Sequence, residues 1–569
     1  MIFLKKKFCK FFLLAFFMGL ICFHWGCNSC DECGPHEPRL AIIGYWDFPD
    51  GENYTLTHPV PAFDEDGSEF DPNVDFIARV YYPSSDASAF EDLENPNFEG
   101  IEVAEGPFPL VVFGHGQCGW ESDNYLGTTH LLYHLVSWGY ICVSINLDVL
   151  QGGYSSYNYF IPHRGEIFLY AIQKMNVLNG DSGSLFYGRV DMGSIALIGH
   201  SRGGGGAISA VNQNLEQDSS WSIKALATIS PVDFGTDPVQ AAVPHICLYG
   251  SWDGDLKRGD GPRIWDGGVR SAHKEHVEIY GANHFHFTDD TVYSNELNGI
   301  TRDQHQQLAQ GFINAYFDVH VKNNDRWDWP LYLSGHEKIY QSVEQYIQIL
   351  TPEFLTIDDG SPLGNAGQNN LTGTNTADTL AYFNDAMLEN EEDDHFYGWD
   401  GQSEGLLAHW NETGDLLAFE FPSQDASRYT YLHFRTSQRP VETLDPPADG
   451  YNIEDTFKNW KVRLEDGAGG SATVSIKDYL GGLQYPDFSD TLSYLIALLE
   501  GAHPGSDYSY LNDYNRKSIP RSYRIPLEDF AGVNLSQVAK VVFIFDQANE
   551  TGFQNTSGAI AVDDLEFTR

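Results

Sequence analysis

Residues 199–203 read Gly-His-Ser-Arg-Gly, a G-x-S-x-G pattern that sets a serine hydroxyl between two glycines. An apolar run, SIALI, precedes the pattern, and a glycine-rich run with helical spacing, GGGGAISAVNQNL, follows it. Each glycine costs a helix about 1 kcal/mol relative to alanine, so four glycines at a helix start indicate close approach of other backbone. This strand–turn–helix context predicts Ser201 as a nucleophile on a sharp turn, flanked by Gly199 and Gly203.

A serine hydroxyl needs a general base, and the base needs a third group that orients it. Two apolar runs downstream end in suitable side chains. HICLYGSWDGDL ends in Asp253 and Asp255, and HVEIYGANHFHF ends in His284 and His286. Open α/β sheets place ligands at the carboxyl ends of their strands, so both runs would deliver side chains to the edge that carries Ser201. The spacing alone leaves either aspartate as the acid and either histidine as the base.

The elements that must position these side chains alternate between strand and helix from about residue 75 to 322. Continuous apolar strands between helical segments indicate a mostly parallel sheet that helices cover on both faces. The predicted strands are FIARVYYP, PFPLVVFGHG, ICVSINLDV, SIALIGHS, IKALATISPV, PHICLYGSWDG and HVEIYGANHFHF. We therefore expect an α/β domain over residues 41–350.

In order and spacing, these runs resemble the α/β-hydrolase superfamily, in the branch of platelet-activating-factor acetylhydrolases, chlorophyllases, dienelactone hydrolases and polyester hydrolases. The matching pieces, which cover less than half of the chain, are RVYYP, PLVVFGHG, SWGY, ALIGHSRGG, LYGSWDGD and IYGANHFHF. The resemblance implies Asp253 as the acid, through a G-x-x-D pattern, and His284 as the base, through GA-x-H. It also implies backbone N–H donors to an oxyanion at Gln117 and Arg202, and no required metal or organic cofactor.

Neighbouring histidines and tryptophans have simpler interpretations. We expect His200 to pack beside the turn and His115 to hold the oxyanion loop by hydrogen bonding. The HKEH run at 273–276 lacks the spacing of a zinc-binding helix and is typical of a solvated surface. Trp120 and Trp252 are candidates either for an acyl or alcohol pocket or for core packing.

The C-terminal part of the sequence has a different hydrophobic periodicity. Residues 351–377 are rich in Gly, Asn and Thr and predict a linker, after which apolar residues alternate with period two. Residues 378–569 therefore predict an antiparallel β-sandwich with one helical piece, TLSYLIALLEG. The runs SYRIPLEDFAGVNLSQVAKVVFIFD and GAIAVDDLEF resemble jelly-roll modules of secreted carbohydrate enzymes. That resemblance implies a possible structural calcium at Asp563 and Asp564 and a possible glycan ligand, whereas Trp399, Trp410 and Trp460 are expected in the core.

The N-terminus predicts export. A lysine-rich start and the apolar stretch 11–23 form a secretory signal over residues 1–26. The apolar stretch is too short to span a membrane easily, and a tether follows over 27–40. Gly26-Cys27 resembles the end of a bacterial lipoprotein signal, so Cys27 is a candidate for lipidation and for a membrane anchor, with ordinary cleavage nearby as the alternative. Cys142 and Cys247 lie in apolar strands and are expected to be buried thiols.

The charge and motifs together narrow the function. The formal net charge of −47 argues against nucleic acid and anionic lipid as partners held by charge. The sequence predicts a secreted or surface-anchored bacterial serine hydrolase acting on a carboxylic ester, whether small, polymeric or attached to a polysaccharide. Two alternatives stay open: an amidase or peptidase with the same triad, and a carbohydrate-binding protein whose hydrolase domain is vestigial.

Overall fold

The structure is a computed structural model, and it describes most of the chain in segments. The described residues are 42–49, 51–60, 71–86, 97–117, 123–150, 160–217, 220–251, 253, 255–256, 260–289, 300–324, 342–360, 365–380, 382–387, 404–438, 458–480, 520–545 and 557–569. We call residues 42–350 the α/β region and residues 354–569 the β-rich region. The candidate signal and Cys27, together with Trp120, Trp252, Trp399 and the TLSYLIALLEG piece, lie outside the described residues.

The α/β region is built on one sheet, of which nine strands are described. In spatial order these are β1 (Ile42–Asp47), β4 (Ala78–Ser84), β6 (Ile141–Ile145), β5 (Phe108–Gly114), β7 (Val190–His200), β8 (Ile223–Ile229), β9 (His245–Gly250), β10 (Lys274–Ile279) and β11 (Gln345–Leu350). Pairing is parallel from β6 to β10 and antiparallel at β1–β4, β4–β6 and β10–β11. Two short strands, β2 (Asn53–Thr55) and β3 (Asn73–Asp75), pair separately.

Helices cover both faces of this sheet, as the sequence predicts. The helices are α1 (Thr129–Ser137), α2 (Ile161–Gly180), α3 (Arg202–Glu216), α4 (Asp260–Asp266) and α5 (Arg302–His320). Successive strand residues point to opposite faces, so on β5 Val112 packs with α2 and α3, whereas Val111 packs with α1 and α5. The seven predicted strands correspond to β4 through β10.

The β-rich region consists of two antiparallel sheets around one core. The first contains β12 (Phe354–Asp358), β14 (Tyr382–Met387), β15 (Glu404–Trp410), β22 (Gly558–Thr568), β17 (Tyr431–Gln438) and β20 (Arg521–Pro526). The second contains β13 (Thr374–Asp378), β16 (Asp415–Gln424), β21 (Val538–Phe545), β18 (Lys461–Asp466) and β19 (Ser471–Ser475). Phe434 and Phe543 contact each other across the sheets, 4.9 Å between ring centroids, and Trp410 and Trp460 are buried in the same core, as expected.

The boundary between the regions differs from the predicted linker. Strand β12 lies within 351–377, and β13 begins within that range and ends at Asp378. Because the two strands belong to the two sheets of the β-rich region, the change of region falls between Leu350 and Phe354. The polar composition that suggested a linker reflects short strands whose side chains are mostly exposed on β13. Within the described residues, no helix combines the length and hydropathy that crossing a bilayer requires. Cys142 and Cys247 are buried free thiols, which confirms that prediction.

Candidate active site

Ser201 stands in the turn that joins β7 to α3. Its backbone angles, φ 54° and ψ −123°, lie in a region that residues other than glycine rarely occupy. Two sets of backbone hydrogen bonds hold this conformation. The Ser201 N–H donates to the Ile229 carbonyl at 2.9 Å, and the Ser201 carbonyl accepts from Gly204 N–H at 2.8 Å. A strained serine fixed in this way between a strand and a helix is the geometry of a nucleophile elbow.

The glycines around Ser201 are required by close backbone contacts. A Cβ on Gly199 would lie 2.1 Å from the Gly203 carbonyl oxygen, and one on Gly203 would lie 2.1 Å from the Gly114 carbonyl oxygen. A Cβ on each of the next three helix glycines would also lie too close to a neighbour, at 2.8 Å from Pro231, 2.6 Å from Thr236 and 2.7 Å from Arg164 in turn. Helix α3 therefore approaches its neighbours more closely than side chains allow, and the helix-weakening glycines make that approach possible.

His284 and Asp253 form a buried hydrogen-bonded pair. His284 Nδ1 lies 2.8 Å from Asp253 Oδ2, whereas Asp255 Oδ2 lies 3.5 Å from Nε2, on the other side of the ring. A triad acid orients its histidine through one ring nitrogen and leaves the other for the serine. The structure therefore places Asp253 in the position of an orienting acid, and Asp255, whose side chain is half exposed, beside the nitrogen that would face the nucleophile.

The Asp253 carboxylate is held in its charged form. Burial by itself raises its pKa, but the charge and hydrogen bond of His284, together with the Leu256 N–H, outweigh burial and leave the pKa below the ordinary value. The Leu256 N–H donates to Asp253 Oδ1 at 2.8 Å, and the Asp255 N–H donates to the same oxygen at 3.1 Å. These bonds fix the carboxylate so that Oδ2 faces the imidazole.

The loop that carries His284 is fixed by residues that the sequence did not single out. The Asn283 side-chain oxygen accepts the N–H groups of Phe285 and His286, and the Asn283 N–H donates to His305 Nε2 at 2.8 Å. His286 is buried, and its ring lies 5.0 Å from that of His305. His286 therefore contributes to the support of the loop, whereas His284 is the histidine that contacts Asp253.

His200, the residue before Ser201, contacts His284 directly. Its Nε2 lies 3.0 Å from the His284 carbonyl oxygen, and the two rings lie 4.8 Å apart. Burial lowers the pKa of His200 to about 3, so the ring is neutral and its Nε2–H donates to that carbonyl. The sequence suggested only packing here, whereas the structure adds a hydrogen bond from the nucleophile's own strand to the backbone of the base.

The loop after β5 lies against the nucleophile. A Cβ on Gly116 would lie 2.6 Å from Ser201 Cβ, which places Gln117 one residue from this contact. His115 fixes the loop as expected, because its Nε2 accepts the Leu147 N–H at 2.8 Å and its Nδ1 therefore donates to the Gly116 carbonyl at 2.7 Å. Arg202 is the first residue of α3, so its N–H belongs to the N-terminal turn of that helix, where peptide dipoles favour negative charge.

Two other expectations do not match the structure. Most of the HKEH run is buried rather than solvated, since Lys274, Glu275 and His276 are buried residues of β10 and His273, just before the strand, is partly buried. The environment of Asp563 and Asp564 does not fit the expected calcium, because Arg435 lies between them, with Nη2 2.6 Å from Asp563 Oδ2 and Nε 2.6 Å from Asp564 Oδ2. Among the described residues, no cluster of three His, Cys, Asp or Glu side chains is arranged to hold a metal ion.

Comparison with known proteins agrees with this geometry. The central parallel sheet, the serine turn after β7, and an acid and a histidine at later strand ends are similar to the arrangement found in α/β-hydrolases. Residues 100–256 match the family model described as Chlorophyllase, which lies within that superfamily. The matched segment includes Gln117, Ser201, Arg202 and Asp253 and ends before His284. No curated protein matches the chain.

Proposed function

We propose that this protein is a serine hydrolase that cleaves carboxylic esters through a Ser201–His284–Asp253 triad and an acyl-enzyme. The observation that carries the proposal is the buried His284–Asp253 hydrogen bond at the sheet edge where Ser201 is held at φ 54°. The family match supports ester hydrolysis as the reaction class, because it covers the oxyanion loop, the nucleophile and the acid.

In the proposed mechanism, His284 Nε2 takes the Ser201 proton as the hydroxyl oxygen attacks the ester carbonyl carbon. The carbonyl oxygen becomes an oxyanion and accepts hydrogen bonds from the N–H groups of Gln117 and Arg202, each of which is worth about 3 kcal/mol in such sites. His284 then protonates the leaving alcohol, and an acyl-enzyme remains. His284 then takes a proton from water as the water oxygen attacks the acyl carbon, and the imidazolium returns that proton to Ser201 Oγ as the acid is released. Asp253 stabilises the imidazolium in both halves.

The location and the wider substrate class are part of the same proposal. We place the protein outside the cytoplasm of a bacterium, either released after cleavage of the signal or anchored through a lipidated Cys27. An exported esterase of this kind would meet small esters, polyesters or acylated polysaccharides, and we propose no metal or organic cofactor in the reaction. The two buried thiols are compatible with export because neither is available for disulfide exchange.

The test compares the mature protein with Ser201→Ala on p-nitrophenyl acetate, butyrate and octanoate, and on p-nitroanilide counterparts. Ser209→Ala, a serine on the same helix, is the matched control. We expect ester turnover by the wild type and the control, and a loss of at least about 10³-fold in Ser201→Ala. A folded wild type that is inert on every ester would contradict the proposal and direct attention to glycan binding by the β-rich region. Faster turnover of anilides than of esters would identify an amidase.

A further inference from the structure

We propose that the β-rich region holds the catalytic acid of the α/β region in position and is not a module that moves on a tether. The connection consists of ion pairs in which each region contributes an arginine to carboxylates of the other, and we call this set of ion pairs the arginine exchange. The exchange comprises Arg435, Arg270, Asp266, Asp563, Asp564 and Glu566. The inference rests on the proposed function insofar as Asp253 is the triad acid. It assigns to the β-rich region a role in positioning that acid.

Arg435 of the β-rich region reaches into the α/β region. Its Nη1 lies 2.9 Å from Asp266 Oδ1 and 3.1 Å from Gln348 Oε1, while its other nitrogens hold Asp563 and Asp564. The side chain of Arg435 is only 4 % exposed, so this guanidinium has its charge balanced within the protein. A planar guanidinium that satisfies acceptors from both regions fixes their relative position more tightly than a single ion pair does.

Arg270 makes the reverse connection, from the α/β region to the β-rich region. Its Nη2 contacts Glu566, its Nη1 lies 3.3 Å from Asp564 Oδ1, and its guanidinium lies 3.8 Å from the centre of the Phe354 ring. Asp564 thus accepts from an arginine of each region. Because each region supplies an arginine to a cluster of carboxylates shared with the other, separating them would leave buried charges unpaired on both sides.

Edge strands of the two regions also bond to each other. The Ile349 N–H of β11 donates to Ser522 Oγ of β20 at 2.9 Å. The Arg521 guanidinium of β20 lies 4.9 Å from the centre of the Tyr346 ring of β11. These contacts extend the interface along β11, so the arginine exchange belongs to a continuous surface and not to an isolated point of contact.

The exchange is connected to the active site through α4. Asp266, which Arg435 holds, is the last residue of α4, and the acid Asp253 lies on the loop that precedes this helix. Leu256 of that loop donates its N–H to Asp253 and accepts the Tyr249 hydroxyl at its carbonyl. Tyr249 also packs against α4, because a Cβ on Gly261 would lie 2.6 Å from its ring. The Asp253 loop and α4 therefore share the Tyr249 side chain, and we expect a displacement of α4 to alter the position of Asp253.

Hydrogen–deuterium exchange on the full chain tests this brace without reference to activity. We compare wild type, Arg435→Gln and Asp266→Asn, with Arg463→Gln as the control, because Arg463 pairs with Glu465 on a strand away from the interface. We expect amides in 253–266 to exchange at least about tenfold faster in both interface variants and at the wild-type rate in the control. Asp266→Asn removes a charge from the α/β side and is informative if Arg435→Gln fails to fold.

Catalysis provides the second measurement. For Arg435→Gln we expect kcat to fall about tenfold with KM little changed, and the acid limb of the kcat/KM profile to move to lower pH as the carboxylate–imidazole contact weakens. Arg435→Lys restores the charge but not the planar fork, and should recover only part of kcat. A simple loss of stability would move the unfolding temperature but not the pH limb at 25 °C.

The outcomes separate the brace from the esterase. Amide hydrogen exchange in 253–266 that stays at the wild-type rate in both interface variants would overturn the brace. So would a folded Arg435→Gln protein whose kcat and acid limb of the kcat/KM profile are unchanged. An inert wild type with faster exchange in the interface variants would instead contradict the proposed reaction and retain the structural coupling. Equal effects in Arg463→Gln would also overturn the brace, because that variant leaves the interface intact.

Discussion

Within the described residues, a histidine–acid pair with a serine nearby can be compared in each of the two regions. In the α/β region, His284 Nδ1 lies 2.8 Å from Asp253, beside the Ser201 turn. In the β-rich region, His433 Nδ1 lies 2.8 Å from Glu566, and His433 Nε2 lies 2.9 Å from Ser522 Oγ. All six residues are 3 % exposed or less and the two histidine–acid distances are equal, so neither burial nor that distance distinguishes the two arrangements.

The backbone distinguishes them. Ser201 occupies a strained turn at the N-terminus of α3, next to the loop that carries Gly116. Ser522 lies within β20, opposite Arg435 of β17, and its hydroxyl already accepts the Ile349 N–H. A strand serine that is bonded on both sides has no helix N-terminus to stabilise an oxyanion. We therefore interpret the second arrangement as part of the interface and expect it to be chemically inert.

The largest expected effect concerns the acid of the first arrangement. Asp253→Asn removes the charge that stabilises the imidazolium and presents a donor to Nδ1, so kcat for ester hydrolysis should fall by about 10⁴-fold. The matched change, Asp255→Asn, should leave kcat within about threefold, since this residue lies at the other ring nitrogen. Steady-state kinetics at pH 8 measure both variants, and a larger loss in Asp255→Asn would reverse the assignment of the acid.

The features of the fold and of the candidate site that could be predicted from the sequence are those that a short stretch of chain determines by itself. The order of the candidate catalytic residues along the chain, Ser201 then Asp253 then His284, follows from local apolar runs that end in polar residues. The seven predicted strands correspond to β4–β10. The choice of Asp253 and His284 over their neighbours came from a family resemblance, because alternation alone cannot tell which of two nearby side chains turns towards the other.

Features that depend on contacts between distant segments could not be predicted. The acidic pair Asp563–Asp564 suggested calcium because its compensating charge, Arg435, lies more than a hundred residues earlier in the chain. Likewise the HKEH run looks solvated in isolation, yet β10 is buried between β9 and β11. In each case the sequence showed charge, and only the tertiary structure showed which partner or neighbour covers it.

A smaller effect on kcat is expected from substitution of His200, which bonds to the backbone of His284 in the first arrangement. His200→Phe keeps an aromatic ring beside His284 but removes the hydrogen bond from the His200 ring to the buried His284 carbonyl, a loss of about 1–3 kcal/mol. If loss of this hydrogen bond displaces His284, kcat should drop by about 10- to 100-fold with KM little changed. His200→Gln can supply an N–H near the position of Nε2 and should recover most of kcat. Because His200 is neutral above pH 5, the ratio of variant to wild type should not vary from pH 6 to 9.

The smallest effect on activity is expected from the second arrangement. Ser522→Ala removes the partner of both the Ile349 N–H and His433 Nε2, which should lower the free energy of unfolding by about 1–3 kcal/mol in urea titrations. Activity at 25 °C should stay within about threefold of wild type, because the arginine exchange is intact. Ser427→Ala, at an exposed serine of the same region, should change stability by about 0.5 kcal/mol or less. A folded Ser522→Ala protein without esterase activity would contradict the expectation that the second arrangement has little effect on catalysis.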